Sequence, residues 1–472
     1  MGFPREEEAR GHLEPVPLGQ EEGGPVLRRD LPQRLQPTPR QGMGLEAEGK
    51  PDPLARLHLQ PDSGHFFFKK LQGNVADLQL GDLLAWPCGR KGEEGFLSEG
   101  GVVEGNPHPF KLTGLPLYNA YMRRRLLTPG PVELHPKALL ALSQPQLHHR
   151  TEEARRAVLK VRRGLKQAFQ TEGEVLILTG SGTLALEALA LNLFDPGERV
   201  LVPVTGKFSE RWAEIALALG LSVDRLDLAW GGVIPPEAVA RPGYRGLFLT
   251  HSETSTGALN DVRSLAEAFK DRNPEGLVVA DMVTSLLLTE VALEAWGIDA
   301  AASGSQKGLM CPPGLSFAAL SPRAVQALKP KGYYLNLKNE LKAQAEGETA
   351  YTPAINLVLA VEGVLADLLP SLPEHLALKK WQTGLLYQVG EELGLRPVPE
   401  EKSPATSAFY LPEGVPYAKV KGAFARRNAV IAGGQGPLKG RIFRLSLMGH
   451  FDRYDALGVA MLFKEAWDEV AG

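Results

Sequence analysis

GLVVADMVTSLLLTEVALEAWGIDAAASGSQKGL (276–309) is the stretch on which the reading of this chain turns. It opens on an apolar run closed by Asp281 and ends, 26 residues later, on Lys307 within SGSQKGL (303–309). A short apolar run bounded by a polar residue has the pattern of a buried strand. Asp281 taken alone is also a common helix N-cap, and a lysine taken alone is usually an exposed loop residue. Lys307, however, stands among Ser303, Gly304, Ser305 and Gly308 and just before the turn CPPG (311–314). Small neighbours of this kind let a planar group approach the backbone closely.

Working outward, short apolar runs alternate with helical patterns. EVLILT (174–179) is followed by TLALEALALNLF (183–194), RVLVPV (199–204) by ERWAEIALALGL (210–221), and GLFLTH (246–251) by LAEAFKDR (265–272). VVAD (278–281) and IDAAASGS (298–305) continue the rhythm. Strands separated by helices of this length predict an α/β fold, a mostly parallel sheet with helices on both faces, whose functional loops gather at the strands' C-terminal ends. After a helical stretch near 354–393, the pieces SAFYLP (407–412), NAVIAGG (428–434) and RIFRLSLMG (441–449) and a terminal helix at 454–467 predict a smaller α+β domain. The expected organisation is an N-terminal extension over 1–121, a large domain over 122–380 and a small domain over 381–472. The extension is rich in Pro, Gly, Arg and Glu up to about residue 64 and lacks a sustained helix or strand period. It is expected to be disordered, or to lie upstream of a true start at Met122.

The composition points to small-molecule chemistry. The 472 residues are 43% hydrophobic and 23% charged, enough for a large core. A formal net charge of −3 and the lack of a long basic tract give no reason to expect a nucleic acid or an anionic membrane as partner. LALEALALNLF (184–194) is too short to span a bilayer. Two cysteines, Cys88 and Cys311, without metal-ligand spacing suggest neither a disulfide framework nor a metal site, and a reducing cytoplasm suits them.

Four further motifs surround the Asp281–Lys307 pair. TGSGTLALEA (179–188) follows a strand and opens a helix, placing Ser181, Gly182 and Thr183 at a helix N-terminus. That is either a phosphate cradle or a tight strand-to-helix turn. In VTGKFSERW (204–212), Phe208 falls just past a strand end, where it either stacks on a ring or packs in the core. HSETSTG (251–257) crowds hydroxyl and carboxylate side chains at a strand end, with Thr254 the candidate donor to a phenolic oxygen. Arg444 in IFRLSL is either a bidentate clamp for a carboxylate or half of a structural ion pair. A lysine suited to attack an aldehyde and a carboxylate suited to hold a ring nitrogen protonated together suggest pyridoxal 5′-phosphate as cofactor.

In combination these motifs resemble the class V, fold-type I aminotransferases that depend on pyridoxal phosphate, the group of the alanine–glyoxylate, serine–glyoxylate and phosphoserine enzymes. The resemblance covers about 124–469 and implies a homodimer with shared active sites. It implies that LLTPGP (126–131) is the segment on the substrate side and that Ser181, Gly182, Thr183 and Gln306 contact the phosphate. Phe208 then stacks on the ring, Thr254 and Asp281 meet its oxygen and nitrogen, and Lys307 is the covalent anchor and proton carrier. Arg444 clamps the substrate carboxylate, and Thr352, in YTPAI (351–355), reaches the phosphate of the other subunit. IAGGQGPLKGRIFRLSLMG (431–449) looks like the alanine/serine–glyoxylate branch. The expected reaction is therefore transfer of an amino group from alanine or serine to glyoxylate or pyruvate. LHHRTEEA (147–154) resembles the His-Arg segment with which phosphoserine enzymes hold their substrate. His149 and Arg150 are accordingly candidates for an acidic substrate or for a subunit-interface ion pair, and Tyr334 is a candidate either for shaping the pocket or for core packing. A cysteine desulfurase would need a histidine before the lysine and a mobile cysteine further on. Gln306 precedes Lys307 here, and Cys311 lies too close to it.

Overall fold

The computed structural model describes residues 124–472; the expected extension over 1–121 and the start at Met122 lie outside them. Among the described residues, fourteen strands run in chain order as β1 (Arg125–Leu126), β2 (Glu174–Thr179), β3 (Arg199–Val204), β4 (Ser222–Asp227), β5 (Gly246–Thr250), β6 (Ser252–Glu253), β7 (Ala258–Leu259), β8 (Leu277–Asp281), β9 (Ala300–Gly304), β10 (Leu315–Leu320), β11 (Ser407–Tyr410), β12 (Ala429–Val430), β13 (Ala432–Gly433) and β14 (Ile442–Leu445). The helices that matter here are α1 (Pro136–Leu142), α2 (Glu152–Phe169), α3 (Gly182–Leu193), α4 (Lys207–Ala218), α5 (Val262–Arg272), α6 (Ile355–Leu368), α7 (Leu372–Glu392), α8 (Tyr417–Arg426) and α9 (Arg453–Ala471).

The central sheet has seven strands in the order β2-β10-β9-β8-β5-β3-β4. All pairings are parallel except those of β10, which runs antiparallel to both β2 and β9. Apart from the edge strand β4, its strands are largely apolar on both faces, as a sheet covered by helices on each side requires. Leu176, Leu178, Val200, Val202 and Phe248 face a core shared with Leu186 and Leu189 of α3 and Trp212 of α4. Their neighbours Val175, Ile177, Leu201, Leu247 and Leu249 face the opposite core, with Val161 and Leu165 of α2 and Phe269 of α5. The alternation follows from the two-residue period of a strand.

The stretch from Ile355 to Glu392 is long and apolar enough, by length and composition, to cross a membrane. Val358, Val361 and Val364 are nevertheless fully buried in the protein core, where α6 packs on α1 and α2. Beyond it, β11, β14 and β13 form an antiparallel sheet backed by α7 and α9, with α8 packed on α9 and β12. Phe409, Phe443 and Phe463 fill the space between sheet and helices. β1 pairs in parallel with β12, Arg125 opposite Ala429. LLTPGP (126–131) is thereby fastened to the C-terminal sheet: the Leu127 N–H donates to the Val430 carbonyl at 2.9 Å and the Ser446 N–H to the Leu127 carbonyl at 3.0 Å.

Candidate active site

The C-terminal ends of β5 and β8 lie level with one another, Thr250 beside Asp281, while β9 runs two residues beyond Ala302, which pairs with Asp281. The loops that leave this edge enclose a pocket lined by Ser181, Gly182, Thr183, Phe208, Arg211, Ser252, Thr254, Asp281, Thr284, Gln306 and Lys307. It is the edge where ligands of open α/β sheets bind.

One wall is the start of α3. Its N-cap, Ser181, makes no side-chain capping bond, so the hydroxyl and the first backbone N–H groups of the helix remain available to an anion. Gly182 is a steric requirement here, since a Cβ at this position would sit 2.6 Å from Val283 Cγ2. A second wall comes from α4, which is anchored by the Trp212 indole N–H donating to the Leu249 carbonyl at 3.1 Å. Phe208 is half-buried on this wall. The Arg211 guanidinium lies 5.0 Å from the centre of its ring, and Arg211 Nη1 donates to Thr183 Oγ1 at 3.3 Å, joining the two walls.

The floor holds the charged groups. Asp281 accepts the Val283 N–H at 2.9 Å in a turn, and no helix begins there, so the N-cap alternative does not apply. Burial pushes its carboxyl up to about 6, with Glu253 adding to the effect and the Val283 N–H, Arg211 and Lys307 opposing it. Lys307 Nζ donates to the Pro129 carbonyl, which brings LLTPGP into the site. Gly130 has φ +117°, and a Cβ there would run into the Lys307 amine. Burial lowers the Lys307 ammonium to about 8; Arg444 and Arg211 lower it further and Asp281 opposes them.

Arg444 is 5% exposed, and the described residues contain no ion pair for it. Its Nε and Nη2 donate to the Gly433 carbonyl at 3.0 and 2.7 Å, and Nη1 donates to the Thr254 carbonyl at 2.7 Å. A guanidinium has five N–H groups, so three are engaged by neutral carbonyls and two remain.

The pocket's loop-born polar atoms fit a polar ligand. Thr254 Oγ1 and Gln306 Oε1 are buried and have no hydrogen-bond partner among the described residues, a costly state unless something else satisfies them. This uncapped helix end, a carboxylate, an amine of lowered basicity and an aromatic face are what an anionic, ring-bearing aldehyde would need.

The model of the family described as aminotransferase class V matches residues 137–353. The chain is 37% identical over 348 residues to the soluble hydrogenase 42 kDa subunit of Anabaena cylindrica, covering 70% of this chain and 90% of that one. It is 30% identical to the serine–glyoxylate aminotransferase of Hyphomicrobium methylovorum, covering 69% and 85%. The chain belongs to the class V aminotransferases. A solved structure of an aspartate aminotransferase of subgroup IV from Thermus thermophilus is 72% identical, with a TM-score of 0.73 over 73% of this chain and 99% of that one. The fold is that of the fold-type I enzymes, and as an aminotransferase of this family the chain uses pyridoxal phosphate. The unpartnered Thr254 and Gln306 atoms and the uncapped α3 are compatible with that cofactor.

Several expected residues lie elsewhere on this aminotransferase chain. Thr352 and Tyr334 share a small separate depression with Tyr351, Thr179 and Leu184. Tyr334 is 46% exposed and stacks on Tyr351 at 4.7 Å, so it is not a core residue. His149 stacks on His148 at 4.8 Å, and Arg150 reaches Glu348 at 3.7 Å on the surface. Cys311 is buried, its thiol pushed up to about 12 by desolvation, which is unlike a mobile nucleophile. Sequence reasoning did not single out Arg211 or Glu253. Arg211 stands three residues after Phe208, and in a helix that spacing puts both on one face.

Proposed function

We propose that this aminotransferase moves the amino group of a small L-amino acid to a 2-oxo acid, with Arg444 as the clamp for the α-carboxylate. The observation that carries the proposal is the state of Arg444. It is buried, its charge is felt at Lys307, its hydrogen bonds among the described residues go to the Gly433 and Thr254 carbonyls, and it retains donors for a carboxylate fork. Among donors, aspartate comes first, supported by the 72% identity to the Thermus thermophilus protein that bears that activity in its name. Alanine and serine, with glyoxylate or pyruvate as acceptor, come second, supported by the Hyphomicrobium methylovorum enzyme. A phosphoserine donor has less support, because Arg150 already has a carboxylate neighbour in Glu348.

Pyridoxal phosphate, when bound, supplies an electron sink for the charge that develops at the substrate's α carbon. Ser181, Gly182, Thr183 and Gln306 would hold its phosphate, Phe208 would cover its ring, and Thr254 and Asp281 would meet its oxygen and nitrogen. Asp281, with its carboxyl raised to about 6, matches a weakly basic ring nitrogen, so a proton can be shared between the two. Lys307, lowered to about 8, reaches its neutral form far more readily than an ordinary lysine and can both anchor the cofactor and carry a proton at the α carbon. Thr352 would serve the phosphate of a second subunit in a homodimer.

The test is a panel of single donors, namely aspartate, alanine, serine, phosphoserine and glutamate, each mixed with the holoenzyme while the cofactor's visible band is followed. Loss of the band with aspartate and its recovery with a 2-oxo acid support the first reading. A response to alanine or serine alone transfers the assignment to the second, and a response to phosphoserine or glutamate alone overturns both.

A further inference from the structure

Glu253 is fully buried, and among the described residues no cation stands within ion-pair distance of it. A buried carboxylate in that position must be stabilised by hydrogen bonds. Its Oε2 accepts the Phe208 N–H at 3.0 Å, the Ser209 N–H at 2.9 Å and the Ser209 hydroxyl at 3.0 Å. Its Oε1 accepts the Ser255 N–H at 3.2 Å and the Ser255 hydroxyl at 2.6 Å, with a longer contact to the Phe208 N–H at 3.3 Å. The Ser255 oxygen in turn accepts the Lys207 N–H at 2.9 Å. The first three N–H groups of α4 are thus satisfied from the loop that carries Thr254. The negative charge also lies at the positive end of the helix dipole. Gly206 completes the slot, since a Cβ there would collide with the Glu253 side chain.

The consequence reaches the site. Phe208 belongs to the turn that Glu253 caps, Thr254 is its chain neighbour, and the Thr254 carbonyl holds Arg444. We propose that Glu253 is a positioning residue of the aminotransferase, a carboxylate that locks the ring-covering Phe208 to the Thr254 loop and so pre-forms the cofactor's berth. The inference rests on the role given to Phe208 above. The slot is specific for a carboxylate. Were Gln to replace Glu253, its amide NH2 would face two backbone N–H groups in either orientation, Phe208 and Ser255 at one oxygen position or Phe208 and Ser209 at the other.

The experiment measures the dissociation constant of pyridoxal phosphate by equilibrium dialysis for Glu253→Gln, Phe208→Ala and the double variant, alongside the Tm of each cofactor-free protein. Glu253→Gln is expected to weaken binding roughly tenfold to a hundredfold, the range for losing one or two charge-assisted hydrogen bonds. Because Glu253 acts through Phe208, the double variant is expected to bind no more weakly than Phe208→Ala alone. Additive losses, or unchanged affinity in Glu253→Gln, overturn the inference while leaving the stacking role of Phe208 intact. Unchanged affinity in Phe208→Ala overturns the stacking role and the inference with it. Ser255→Ala keeps the charge and removes one link. If Glu253→Gln does not fold, a smaller loss of affinity in Ser255→Ala that disappears in the Phe208→Ala background supports the inference, and its persistence there overturns it.

Discussion

Helices α3 and α4 start at the same edge of the sheet, one after β2 and the other after β3, and each forms a wall of the pocket. At α4 the protein supplies the anion itself: Glu253 and Ser255 take up the first N–H groups. At α3 the N-cap Ser181 makes no capping bond, and Arg211 adds a positive charge beside Thr183. An unfilled helix N-terminus costs stability in a protein that binds nothing there. On the proposed roles the two ends have different tasks, α4 holding an aromatic residue in place and α3 left to receive an anion from outside.

The largest effect should come from the residue between these walls. Lys307→Ala is expected to reduce turnover by at least ~10²–10⁴-fold, the usual contribution of a positioned acid–base group. Pyridoxal phosphate should still bind, non-covalently, because the α3 end is unchanged. Turnover assays and dialysis of the cofactor check both halves, and turnover near that of the unaltered enzyme would remove Lys307 from the mechanism. Next in size is Gly182→Val, whose added Cβ must displace Val283 from 2.6 Å away and so distort the α3 end. Cofactor affinity should fall about tenfold, as for one lost charge-assisted contact, with turnover recovering at saturating cofactor. Unchanged cofactor affinity would mean that the α3 end does not receive the anion.

The sheet was legible because its signal is local. EVLILT and RVLVPV are the observed β2 and β3 to the residue, since a short apolar run between turn residues has few other uses. β4 was not legible: SVDRLD is a partly exposed edge strand without an apolar run. β10 was missed for the opposite reason, because LSFAAL is buried throughout and shows no period to distinguish it. Lys307, Asp281 and Thr254, which line one pocket, stand out in the sequence because each sits in a distinctive local setting. Glu253 was in plain view in HSETSTG, but its partners Phe208 and Ser209 are 45 and 44 residues distant. A carboxylate that caps a remote helix leaves no mark on its own neighbourhood. Thr352 was associated with the site by resemblance and Tyr334 only as a pocket or core alternative, and in this chain both line a depression apart from Lys307.

A pH experiment sharpens the electrostatic side of the comparison. In the cofactor-free protein the Lys307 amine should be acylated by acetic anhydride with a midpoint near pH 8, against 10.5 for an ordinary lysine. Asp281→Asn removes the one group that opposes the lowering, so the midpoint should move further down. Stability follows with opposite signs at the two groups. Asp281, raised from 3.8 to about 6, contributes stability that is present below pH 3.8 and lost as pH rises through 6. Lys307, depressed from 10.5 to about 8, makes folding more favourable as pH rises from 8 towards 10.5. Asn at 281 should flatten the first slope in pH-dependent denaturant titrations and leave the sign of the second unchanged.

The smallest effect is the most discriminating. An N-cap serine replaced by alanine ordinarily costs about 1 kcal/mol, which lowers the Tm of a domain by a few degrees. Ser181 makes no capping bond, so Ser181→Ala should leave the Tm of the cofactor-free protein unchanged while weakening cofactor binding by a few-fold, about the loss of one neutral hydrogen bond. Ser255→Ala should do the reverse in its first respect, lowering the cofactor-free Tm, because Ser255 links the Lys207 N–H to Glu253. Differential scanning calorimetry of the two variants, with and without pyridoxal phosphate, separates a helix end filled by the protein from one kept for the cofactor. Equal losses of Tm in the cofactor-free proteins would mean that both ends are capped from within, and the functional distinction between α3 and α4 would fall.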